Sequence, residues 1–131
     1  MARTYDPKDV TVVLDGVFIT GFQEGSFVQA SKDEENFSTK VSAQGEVAVA
    51  FSNNPLGTIT LTLSATSPSL PYIKQKAKSK TPFPIWVTYS GDPKEVSGGT
   101  EALIKKAPDK EYGDEVGDRE VEIQVLDYTE E

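Results

Sequence analysis

The chain has 131 residues, the size of one domain, and its 37% hydrophobic and 26% charged residues make an ordinary globular composition. Cysteine and histidine are both absent, which removes disulfides, thiolate nucleophiles, zinc–thiolate sites and the commonest general base, and so argues against an enzyme. The net charge of −8 sits at one end: residues 109–131 hold ten acids against two basic residues, whereas residues 1–108 hold eleven of each.

An acidic chain lacks the basic surface that grips DNA, so sequence-specific nucleic-acid binding is not expected. No apolar run reaches the ~18 residues of a membrane span. The opening MARTYDPKDV carries no apolar signal segment, and the expectation is a protein that stays in the cytoplasm after synthesis.

Residues 10–14 (VTVVL) and 17–20 (VFIT) flank Asp15-Gly16. Asp-Gly between apolar runs predicts a hairpin through a type I′ turn. Residues 26–51 predict a second hairpin, with the charged run SKDEENFSTK (31–40) as its projecting tip. Its descending arm alternates Val47, Val49 and Phe51 with Glu46, Ala48 and Ala50, so the small and polar set is expected to face outward. Residues 52–55 form a turn cluster. GTITLTLS (57–64) has the cleanest alternation, with Ile59, Leu61 and Leu63 opposite Thr58, Thr60 and Thr62. That pattern predicts a strand whose second face is wet.

Residues 67–80 predict the only helix, capped by Ser67 or Ser69, with Leu70, Ile73 and Ala77 on one side and Lys74, Lys76, Lys78 and Lys80 crowding the C-terminal half. FPIWVTY (83–89), residues 96–106 and residues 119–128 predict three further strands, separated by a turn at 91–93 and a polar, acidic loop covering 109–118. The sum is a mainly β domain spanning 1–131. It is an antiparallel sandwich or split barrel of roughly seven strands, with one α-helix and a long hairpin arm.

No motif supports a catalytic, cofactor-binding or metal-binding residue. Asp109, Glu111, Asp114, Glu115, Asp118 and Glu120 lack the alternating spacing and central glycine of a calcium loop and read as a solvated segment. Asn36-Phe37-Ser38 is formally a glycosylation acceptor, which means nothing without secretion. The charged tip Lys32, Asp33, Glu34, Glu35, Asn36 and Phe37, together with Lys74 and Lys78 of the helix, supplies candidate contacts between copies of the chain. An extended two-stranded ribbon is marginal alone and gains order by joining a neighbour. The basic helix would sit beside the acidic end of the next copy.

GEVAVAFSNNPLGTITLTLSATSPS (45–69) resembles the core of small tail tube proteins of contractile-tailed bacteriophages. The shared motifs are Gly45-Glu46-Val47, Asn53 or Asn54 before a turn, Ile59 to Leu63, and Ser67-Pro68-Ser69 opening a helix. YDPKDVTVVLDGVFITGF (5–22) is similar to that family's first hairpin, and the resemblance extends over roughly residues 5–90. One departure is Leu70, where the family pattern has a polar residue.

The resemblance implies hexameric rings stacked into a tube inside a sheath, each subunit giving four strands to an inner barrel. Twenty-four strands at about 4.8 Å spacing, tilted by up to about 40°, enclose a bore of about 37–48 Å between backbones, wide enough for duplex DNA. Thr58, Thr60 and Thr62 with Glu46 and Gln44 are then the channel-lining candidates. The implied partners are further copies of the chain, the sheath, and baseplate or terminator proteins. DNA would be passing cargo, no membrane would be involved, and the location would be the virion tail after assembly in the host cytoplasm. The alternative is another β-rich module, a baseplate, spike or adhesin component binding an external ligand through an aromatic platform of Trp86 with Tyr89 or Tyr72.

Overall fold

The computed structural model describes residues 10–22, 28–90, 94–105 and 117–130. In chain order the elements are β1 (Val10–Leu14), β2 (Val17–Phe18), β3 (Val28–Lys32), β4 (Phe37–Val41), β5 (Val47–Phe51), β6 (Gly57–Ser64), α1 (Leu70–Ser79), β7 (Phe83–Tyr89), β8 (Glu95–Ile104), β9 (Asp118–Val125) and β10 (Thr129–Glu130). Most of the acidic loop expected at 109–118, the turn at 91–93 and the start of the second hairpin at 26–27 lie outside the described residues.

Seven strands form one antiparallel path, β2-β1-β7-β8-β9-β6-β3, and β10 pairs beside β9 on the long strand β8. The expected mainly β antiparallel fold with one helix is therefore present. At the first turn Asp15 and Gly16 take φ of 51° and 81°, the left-handed pair a type I′ turn needs. The chain leaving β2 then crosses to the other end of the path, where Phe22 bridges Leu63. This crossing curls the sheet toward closure.

The core lies on the concave face. Ile59, Leu61 and Leu63 of β6 and Val121, Ile123 and Val125 of β9 are fully buried, the consequence of strict alternation on two paired central strands. Val12, Leu14, Phe83 and Ile85 complete the layer, and α1 lays Leu70 and Ile73 onto it with Ala77 at the margin. Full burial of each such side chain contributes about 1.5–3 kcal/mol. Leu70, the departure from the family pattern, is thus a core residue.

Neither serine caps α1 through its side chain. Ser69 stands at the N-cap position, but its hydroxyl accepts from Thr20 N–H (3.0 Å). Ser67 Oγ accepts from Ser69 N–H (3.2 Å) and donates to the Thr20 carbonyl. Both serines are buried and clip the helix start to the crossing segment.

Two expectations are corrected. The strand expected over 119–128 stops at Val125, because Leu126 and Asp127 turn away. The Asp127 carboxylate accepts from Thr100 N–H (3.1 Å), the Thr100 hydroxyl and Glu101 N–H (3.0 Å), which ties that turn to β8. The larger correction concerns the charged run 31–40, which is no hairpin tip. β3 pairs with β6, and β4 pairs with β5, so the hairpin continues to a turn at residues 42–46. There Gly45 N–H donates to Ser42 O (2.9 Å), Ser42 N–H donates to Glu46 O (2.8 Å), and Gly45 adopts φ 85°. A turn ending on a left-handed glycine is a common hairpin closure.

Candidate assembly interface

The arm β4–β5 stands apart from the main sheet as a separate two-stranded ribbon, exposed along its whole length. Cross-strand partners point to the same side, so the pairs Phe37–Phe51, Thr39–Val49 and Val41–Val47 make one face. That face is apolar and uncovered: Phe51 is 77% exposed, Val41 and Val47 63% each, Phe37 and Val49 51% each. The other face carries Ser38, Lys40, Ala48 and Ala50. The valine set of β5 was expected to face inward. It finds no core within the copy, because the arm extends beyond the body that β6 covers.

The charged run forms the shoulder from which the arm departs. Asp33 N–H donates to the Leu56 carbonyl (3.1 Å), while its carboxylate accepts from Thr58 Oγ1 (2.6 Å) and Gln124 Nε2 (2.9 Å). The Thr58 hydroxyl, then the Gln124 amide, hold the Asp33 carboxyl below its ordinary pKa by favouring the charged form. Lys32 Nζ donates to Asn36 Oδ1 (3.0 Å), Ser52 N–H to the Asn36 carbonyl (2.8 Å) and Ser52 Oγ to Glu34 Oε2 (3.0 Å). Lys32, Asp33, Glu34 and Asn36 are thus engaged within the copy, while Phe37 begins the apolar face.

The apolar residues also change parity at this shoulder. Val28 and Ala30 of β3 lean on the core, yet Phe37, Thr39 and Val41 of β4 share a face with the odd-numbered residues of β5. Residues 33–36 take up the slip.

The channel-lining candidates separate into two groups. Thr58, Thr60 and Thr62 are half-buried on the outer face of β6, opposite Gln124, Glu122 and Glu120 of β9. Ser31 and Gln29 of β3 flank Thr58 and Thr60 on the other side. This is a continuous uncharged-to-acidic face. Gln44 and Glu46 lie instead at the exposed arm turn, away from the threonines.

On α1, Lys76 is bound to Asp15 and lies over the rings of Tyr72 and Phe83 at 5.5 and 5.9 Å. The Asp15 carboxylate raises its pKa. Among the described residues no ion pair engages Lys74 or Lys78, and Lys78 is exposed. Of the acidic end expected as the helix's partner, 109–131, residues 109–116 and 131 lie outside the described residues. The aromatic platform does not form: Trp86 and Tyr89 fall on opposite faces of β7, and the Tyr72 hydroxyl donates to the Leu14 carbonyl (3.2 Å). Among the described residues no group of three or more acids is arranged to hold a metal ion.

Among the described residues the open apolar face of the arm is the feature that marks an interaction surface. No protein-family model matches the chain, and no curated protein matches it. Solved structures do match in fold. The sheath/tube terminator of an extracellular contractile injection system, PVC, in the extended state, superposes with a TM-score of 0.70 at 10% identity, covering 99% of this chain and 98% of that one. The tube-terminating cap of the anti-feeding prophage, AFP, gives 0.62 at 15% identity, with 100% and 94% covered. A chain of the PVC sheath–tube complex in the extended state gives 0.62 at 10% identity, with 93% and 87% covered. At these identities the likeness is one of fold.

Proposed function

We propose that this chain is a structural, non-catalytic subunit of a contractile-tail type conduit, whose copies close into hexameric rings stacked head to tail. The observation that carries the proposal is the arm, an unsupported ribbon whose Phe37, Val41, Val47, Val49 and Phe51 face is open to solvent. A two-stranded ribbon is marginal by itself, and an apolar face of this extent marks an interaction surface. The fold likeness to chains of contractile injection systems supports the same reading. In such a ring the face of Thr58, Thr60 and Thr62 with Glu120 and Glu122 would line the bore. Hydroxyls and carboxylates there would not retain a passing phosphate backbone, as lysines would. Sheath and terminator proteins would be the outer and end partners, and the tail of the particle its location.

A second reading, that the ring ends a tube rather than builds it, is favoured by the near-complete coverage of a sheath/tube terminator. Negative-stain microscopy of concentrated protein separates the two. Rods are expected from a tube subunit, and single rings that do not stack from a terminator. A monomer that persists at millimolar concentration overturns both.

A further inference from the structure

Outside the arm, the only exposed large apolar side chains among the described residues are Val17, at 42%, and Phe18, at 65%. The registers show what surrounds Phe18. It pairs with Val13, Val13 pairs with Trp86, and Trp86 pairs with Gly98. Cross-strand partners share a face, and this is the outer one, since the neighbouring Leu14 and Ile85 are buried in the core. Phe18, Val13 and Trp86 therefore form an apolar row on the outside of the sheet, with Val13 and Trp86 half-buried. Gly98 ends the row without a side chain.

The row and the arm lie apart along the strands. Along β6 the arm is rooted at Gly57, where Lys32 pairs, while the chain leaving β2 meets β6 at Leu63. These points are about 20 Å apart at the rise of a strand. Neither patch covers the other within a copy, because each is exposed. Two different apolar patches that meet between copies make a heterologous contact, which leaves one of each free and so repeats.

We propose that the apolar face of the arm docks on the Phe18–Val13–Trp86 row of a second copy, with Trp86 as the aromatic anchor at one end of the row. The inference rests on the assembly reading above. Aromatic residues in partly desolvated sites carry much of the binding energy of interfaces.

Trp86 is the only tryptophan, and no cysteine is present, so both patches can be probed directly. Concentration-dependent assembly should be followed by light scattering together with Trp86 emission and acrylamide quenching. A blue shift and loss of quenching in step with assembly are expected. Val49→Asp should lose both while keeping its far-ultraviolet circular dichroism. Mixed Val49→Cys and Phe18→Cys copies should form a disulfide between chains. Assembly with unchanged Trp86 accessibility overturns the docking site and leaves the assembly reading intact. So does assembly without the mixed disulfide when Val49→Asp also assembles normally, which would mean another surface, or another protein in the particle, meets the arm. Failure of the unmodified chain to assemble overturns both.

Discussion

The carboxylate of Asp33 joins three strands at one point: it follows β3, and it accepts hydrogen bonds from Thr58 on β6 and Gln124 on β9. Because these bonds favour the charged form, its folded pKa lies below the ordinary 3.8. A depressed pKa contributes stability that is fully present above 3.8 and is lost as pH falls through the lower folded value. Acidification into that window should therefore reduce amide protection at residues 33–36 and 56–58. Asp127, depressed in the same way by the Thr100 hydroxyl, titrates alongside it, so the assignment needs a variant. Asp33→Ala at neutral pH should reproduce the loss at the shoulder, at a cost of about 1 kcal/mol after allowance for its exposure. Unchanged protection in Asp33→Ala would show that the shoulder is held by its backbone bonds alone.

β5 and β6 carry nearly the same alternation and meet opposite fates. Leu61 is fully buried between β3 and β9, whereas Val49 is half exposed on the arm. Leu61→Ala should destabilise the chain by about 2–5 kcal/mol in urea unfolding. Val49→Ala should stay within about 0.5 kcal/mol of the parent protein when both are measured as monomers. Equal losses would mean that the arm packs on its own body. The same contrast shows what was legible in the sequence. Strand β6, the Asp15-Gly16 turn and the buried side of α1 follow from local spacing and turn chemistry, and all three are present. The acids of 33–35 have the chemistry of a solvated tip, so local sequence points to a turn there. The actual turn, Ser42 to Glu46, has no Asn-Gly or Asp-Gly and is signalled only by Gly45. Which strand pairs with β3 is a non-local choice that alternation does not encode. Ser67 and Ser69 likewise read as caps, while their long-range partner Thr20 was invisible.

At the scale of the whole molecule, one face of the arm and the Phe18 row are apolar, whereas Lys78 on α1 and Glu120 and Glu122 on β9 are exposed and charged. If Lys74 and Lys78 meet acids of a neighbouring copy, replacing both with glutamine should weaken assembly and flatten its dependence on salt, since exposed pairs are screened over about 10 Å at 0.1 M. Light scattering across a salt series measures this, and an unchanged series would leave the two lysines as solvated surface. Alternation did disclose that β5 has an apolar side. Whether that side is covered depends on the reach of the sheet, which only the three-dimensional pairing decides.

The placement of Lys40 at the middle of the free ribbon has a consequence for the lifetime of the protein. Poorly supported, solvent-facing ribbons open readily and are where proteases cut first. Under the assembly proposed above, a copy left out of the polymer offers that trypsin-type cleavage point on a loose ribbon, and docking slows cleavage there by ordering the ribbon. Surplus subunits would then be cleared faster than incorporated ones, and the supply of building material would adjust to demand without a dedicated regulator.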